Sequence, residues 1–339
     1  MRYISTTGSI IILCFFFIGG CSESTDPASR STDLNTDTTQ QTNPDPGAFK
    51  EYTVLPHEAD VAIKASNEPH FAFVDTRTSL KGKLLVFLGG TDSYPRYYMQ
   101  FPKTAASLGY HVVNINYLNQ VSVRLCDGEA DINCFARYHQ EVIFGEEQSE
   151  VVKVDPANAI VNRVLTLLKY LHAKYPNEKW DLFFDANGLI YSKLLVAGHS
   201  QGGGHSAFLA HKVSVDRAIF FCSPNDYSIR YHSVAPWLSA PFATTADRLY
   251  GLIHAGDEIV EPSEQYATWK AMKMLMTADT ASADKPTFRN FRALYTNISP
   301  NPAAPSSRLK HNAPVMDIAI PPGAPADHLK QVWIHLLGG

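Results

Sequence analysis

Short runs of consecutive apolar residues recur along the chain, and between them apolar residues return every three or four positions. Lys83-Leu84-Leu85-Val86-Phe87-Leu88, His111 to Asn116, Lys193-Leu194-Leu195-Val196-Ala197, Ala218 to Cys222 and Tyr250 to Ala255 read as strands. A strand apolar at nearly every position has no solvent side, which is the pattern of a parallel sheet covered on both faces. Tyr52 to Val54, Phe71 to Val74 and Phe291 to Tyr295 predict shorter strands. Helical spacing appears around Phe101 to Leu108, near Glu264 to Leu275 and near Leu329 to Leu337. The clearest helix opens at Asp155-Pro156, a capping side chain followed by proline, runs through Ile160, Val164, Leu167, Leu168 and Leu171, and stops before Pro176. Strands alternating with helices imply an α/β domain with helices on both faces of the sheet. Residues 223–249 break the alternation and predict an irregular, lid-like insertion.

The first 50 residues follow another pattern. Arg2 gives a positive start, Ile10 to Ile18 is an apolar block, and Ile18-Gly19-Gly20-Cys21 follows. The block is shorter than the ~20 residues needed to span a bilayer, so residues 1–20 predict a secretory signal peptide. Cys21 directly after Gly-Gly resembles the lipobox of bacterial lipoproteins, and that resemblance implies acylation of Cys21. Residues 21–50 are rich in Ser, Thr, Asp, Gln, Asn and Pro and predict a disordered tether, leaving 51–339 for one folded domain. The expectation is an exported protein, lipid-anchored to a bacterial membrane on its periplasmic side or at the cell surface. Export changes how the cysteines read. Cys126 and Cys134 bracket a short polar loop and predict a disulfide, while Cys222 ends a buried strand and predicts an inert thiol.

The 339 residues are 45% hydrophobic and 18% charged, with a formal net charge of −4. That allows a large core, and the mild acidity without basic clusters argues against a nucleic-acid partner.

The candidate chemistry centres on Gly198-His199-Ser200-Gln201-Gly202. It follows a buried strand and precedes a helix, so the small flanking residues allow a sharp turn that lifts the Ser200 hydroxyl to the end of the sheet. The chain from residue 51 onward resembles the α/β-hydrolase superfamily. More narrowly, it is similar to exported bacterial members with a G-H-S-Q-G elbow and a cysteine-bracketed loop after the fourth strand. The resemblance implies an eight-stranded, mostly parallel sheet and a catalytic triad in the order Ser, acid, His. Ser200 then takes the nucleophile role. Gln201 supplies one oxyanion amide, and the other comes from the loop at Gly89-Gly90-Thr91, where many relatives carry His-Gly and Thr91 matches best. Asp257, after the Tyr250 to Ala255 strand, is the preferred acid, with Asp226 as runner-up. His311 is the preferred base, matching the narrower family, and His328 is the competitor; His335 falls within the apolar periodicity of the last helix. His199 reads as a structural residue beneath the elbow, and His205 and His211 have the wrong spacing for a shared metal. Tyr94, Tyr97, Tyr98, Tyr227, Tyr231 and Trp237 are candidates for roofing an apolar pocket or for packing.

A serine hydrolase that needs no metal or cofactor and cleaves a small-molecule or lipid-like carboxylic ester is the expected function. The alternative is an inactive fold kept as a binding or surface-attachment module. Dehalogenases and epoxide hydrolases carry aspartate at the elbow, so they do not fit Ser200.

Overall fold

The computed structural model describes residues 47–66, 68–275, 280–305 and 308–339. The expected signal peptide, Cys21 and nearly all of the tether lie outside the described residues. Among these residues no helix is long and apolar enough to cross a membrane.

Among the described residues nine strands form the main sheet: β1 (Phe49–Val54), β2 (His70–Asp75), β3 (Leu84–Leu88), β4 (His111–Ile115), β5 (Leu194–His199), β6 (Arg217–Phe221), β7 (Leu249–His254), β8 (Ala281–Ser282) and β9 (Ala293–Thr296). Their spatial order is β1-β2-β4-β3-β5-β6-β7-β9-β8. The pairs β1–β2 and β2–β4 are antiparallel, and the remaining pairs are parallel. This is an α/β fold with a large, mostly parallel sheet. The expected eight strands become nine because Ala281–Ser282 adds a two-residue edge, too short to leave an apolar run. β1 also takes in Phe49 and Lys50, assigned above to the tether, because the Phe49 ring packs on Phe73 at 6.3 Å.

The continuous apolar runs divide by pleat. Leu84, Val86 and Leu88 join one core, and Leu85 and Phe87 join the other. The second core is closed by α1 (Gln100–Ser107) and α7 (Ala324–Leu337), through Phe101, Trp333 and Leu336. The first is closed by α2 (Cys134–Phe144), α3 (Ile160–Lys174), α4 (Gln201–Lys212) and α5 (Pro262–Ala271). Helix α2 escapes periodicity because its buried face is partly polar. Its Glu141 carboxylate accepts the amides of Gln148, Ser149 and Val154 at 3.0, 2.7 and 3.1 Å, holding the following loop.

The Cys126–Cys134 disulfide is present and closes the turn before α2. Segment 223–249 holds a small hairpin, Tyr227–Ser228 with Ser233–Val234, and a turn at Pro236–Ser239. Trp237 is not a roof. It is buried against Phe208 and His139, and its Nε1–H donates to Asp226 at 2.8 Å. Of this segment only Asn225 lines the main cavity.

Candidate active site

The carboxyl ends of β3, β5, β6 and β7 meet at one cavity of about 410 Å³, which Ser200, His311, Gln201, Thr91 and Asn225 line together. Ser200 stands between β5 and α4 with φ 52° and ψ −123°, a conformation that L residues avoid. The crossing of strand and helix enforces it. A Cβ on Gly198 would fall 2.3 Å from the Gly202 backbone, and one on Gly202 would fall 2.2 Å from the Leu88 carbonyl oxygen. No other side chain fits at either position. The Ser200 amide is anchored to Phe221 O at 2.9 Å, and the Asn225 carboxamide donates to Ser200 Oγ at 3.3 Å.

Asp257 and His311 come together although 54 residues separate them. His311 Nδ1 lies 2.7 Å from Asp257 Oδ2, and both side chains are buried. Nδ1 therefore carries a proton, which leaves Nε2 as the nitrogen that bears the lone pair whenever the ring is neutral. Asp257 Oδ1 accepts the amides of Ile259 and Val260 at 2.8 and 3.0 Å, and Oδ2 accepts from Gln265 Nε2 at 3.0 Å. Burial alone would raise the Asp257 carboxyl. The hydrogen bond and charge of His311, with those two amides, outweigh burial and bring it down to about 2.

The competing residues are engaged elsewhere. Asp226, the runner-up acid, pairs with His139 Nε2 at 2.9 Å, and His139 Nδ1 meets His205 Nδ1 of α4 at 2.8 Å. His328 Nε2 lies 2.7 Å from Ala283 O, and His335 Nε2 lies 2.7 Å from Phe291 O. Of the aromatic candidates, Tyr97 and Tyr98 line the cavity.

The loop after β3 is fixed at one peptide. Gly90 O accepts from Asn119 Nδ2 and from Ser93 Oγ, each at 2.7 Å. A trans peptide points its N–H away from its C=O, so this pair sets the direction of the Thr91 amide. Thr91 Oγ1 donates to Gln201 Oε1 at 2.9 Å, and the Val123 amide donates to the same oxygen at 2.9 Å, tying the loop to the start of α4. Among the described residues, no backbone acceptor is recorded for the amides of Thr91 or Gln201.

Three members of the site carry no sequence signal. Glu258, next to Asp257, accepts the amides of Lys310 and His311 at 2.9 and 3.0 Å. Asn119 and Asn225 are single polar residues in loops, with no motif around them to mark them.

Ligand atoms of His199, Cys222 and His311 lie within 4.8 Å of one another, close enough for a metal by distance alone. The donor set does not suit one. His311 Nδ1 is held by Asp257, both His199 nitrogens are hydrogen-bonded, and burial pushes the Cys222 thiol well above its usual range.

No family model and no curated protein matches the chain. It is similar to a solved structure named "Putative Dienelactone Hydrolase" from Klebsiella pneumoniae, at 13% identity and a TM-score of 0.40, over 86% of this chain and 99% of that one. Similarity at that level says nothing of activity.

Proposed function

We propose that the protein is a serine hydrolase that cleaves a carboxylic ester or related acyl bond through an acyl-enzyme. Ser200 is the nucleophile, His311 the base and Asp257 the acid. The observation that carries this reading is the buried His311–Asp257 pair at 2.7 Å, whose His311 lines the same cavity as a serine at a strained elbow.

Ser200 is a weak nucleophile until a base removes its proton, and His311 Nε2 is the lone pair assigned to that task. Asp257, ionised across the neutral pH range, stabilises the imidazolium that forms and keeps the ring oriented. As Oγ bonds to the carbonyl carbon, the carbonyl oxygen gains negative charge, and the amides of Thr91 and Gln201 donate to it at the positive end of α4. His311 then returns the proton to the leaving alcohol, and water repeats the sequence on the acyl-enzyme. The volume suits a small or medium acyl group, with Val123, Ile259 and Met316 as its apolar wall.

The test is labelling with a fluorophosphonate probe. Native protein is expected to label and to hydrolyse 4-nitrophenyl acetate, and folded Ser200→Ala to do neither. No Ser200-dependent labelling in folded protein would refute the hydrolase reading and leave a binding module. Export and anchoring through Cys21 are part of the proposal and rest on the sequence. Cys21→Ala is expected to abolish membrane partitioning, and retention on the membrane would refute the anchor.

A further inference from the structure

Beneath the elbow runs a chain of hydrogen bonds that the three triad roles do not use. The Gly90 amide donates to Tyr98 Oη at 3.2 Å, Tyr98 Oη lies 3.0 Å from His199 Nδ1, and His199 Nε2 lies 3.0 Å from the carbonyl oxygen of His311. A carbonyl oxygen only accepts, so His199 carries its proton on Nε2 and its Nδ1 accepts from the tyrosine hydroxyl. Donation therefore runs one way, from the loop of Gly90 to the peptide of His311, and each bond polarises the next. Tyr98 is fully buried and His199 nearly so. Burial, followed by the charge of neighbouring His311, brings the His199 imidazole down to about 3 and keeps it neutral.

His311 needs such support. It sits in α6 (Leu309–Asn312), a four-residue helix after β9, and its position is set by what holds its peptide. Glu258 holds the amide side. Among the described residues, His199 is the recorded partner of the carbonyl side. The two rings lie 4.7 Å apart, so a cationic residue in place of His199 would oppose protonation of His311, whereas a neutral imidazole does not.

We propose that His199 is a positioning residue that locks the peptide of His311 to the oxyanion loop through Tyr98. The assignment rests on the reading of Ser200 and His311 as nucleophile and base. A merely packed histidine would be replaceable by any side chain that fills the space.

Two substitutions separate these roles. His199→Gln sets a carboxamide N–H where the imidazole Nε2–H stood, and His199→Asn falls one methylene short. Turnover of 4-nitrophenyl acetate is expressed per site titrated with fluorophosphonate, so misfolded protein drops out of the rate. His199→Asn is expected to keep KM and lose about 10–100-fold in kcat, the scale of a misplaced catalytic group. His199→Gln is expected to recover most of that loss. Tyr98→Phe is expected to lose several-fold, with little further loss when combined with His199→Asn, because both break one chain. The downfield proton of the His311–Asp257 hydrogen bond, read by NMR without substrate, is expected to broaden in His199→Asn and stay sharp in His199→Gln.

Equal impairment of the Asn and Gln variants overturns the proposal, as does an unchanged kcat in His199→Asn or multiplying losses in the double variant. If His199→Asn does not fold, an unchanged per-site kcat in Tyr98→Phe overturns it alone. Turnover independent of Ser200 would sink the hydrolase reading instead, and the NMR signal would still test His199.

Discussion

Asp257 and Glu258 are adjacent carboxylates that grip the same histidine at different points, and removing the second tests how His311, the proposed base, is held. In Glu258→Ala the amides of Lys310 and His311 lose acceptors at 2.9 and 3.0 Å. The Lys310 amide is exposed and water replaces its partner at little cost. The His311 amide is partly buried, and a hydrogen bond to a charged group there is worth about 1.5–3 kcal/mol. We take about 2 kcal/mol as the loosening of α6. If all of it opposes engagement of the base, the ceiling on lost kcat/KM is roughly 30-fold, since ~1.4 kcal/mol is tenfold. His199 still holds the carbonyl, so about tenfold is the expected loss. Glu258→Gln keeps one acceptor oxygen and should fall between. The assay is kcat/KM for 4-nitrophenyl acetate beside a thermal melt. Native kcat/KM with an unchanged melt in Glu258→Ala would show that the base is held without this clamp.

Three further outcomes follow from the packing. Gly202→Ala should prevent folding, because the added Cβ meets Leu88 O at 2.2 Å and Gly89 O at 2.4 Å, both backbone; soluble protein with a native melt would contradict this. Asp317 caps α1 by accepting the amides of Met99 and Gln100, yet burial pushes its carboxyl up to about 6. Its folded pKa is thus raised above the unfolded value of 3.8, so its stabilising contribution is complete below that value and lost as pH climbs to about 6. Asp317→Asn should narrow the stability difference between pH 4 and pH 7 in urea melts, and an unaltered difference would refute the assignment. Replacing Cys126 and Cys134 together by Ser should lower stability by about 2–4 kcal/mol, read from the urea midpoint, and an unmoved midpoint would mean that the loop needs no crosslink.

The sheet was legible because both its faces are covered. Leu84 to Leu88 and Leu194 to Ala197 have no polar side to blur the pattern, and the elbow stands out against a buried strand. Helix α2 was hidden because Tyr138, His139 and Glu141 are buried polar residues, and hydrophobic periodicity does not register a polar face turned inward. Helix α7 begins at Ala324, five residues before the apolar repeat does, because its first turn is exposed or half-buried. Within the site, His311 and His328 were separable only in three dimensions. Both are histidines beyond β9, and the register of a loop decides which one reaches Asp257. Glu258 and Asn119 act on backbone atoms, and an interaction with a peptide group leaves no complementary residue to find in the sequence.

The parts of the site enter the chain far apart. Thr91 follows β3, Asn119 follows β4, Ser200 follows β5, Asn225 follows β6, Asp257 follows β7 and His311 comes after β9. A fragment that stops before β9 lacks His311, and the pairings that align the six residues join positions across much of the chain. Such non-local closure is slow. His311 is the last of the six to emerge from the ribosome, 28 residues before Gly339. Under the proposed function Ser200 is therefore an ordinary hydroxyl during synthesis, and its reactivity requires that the sheet has closed around it.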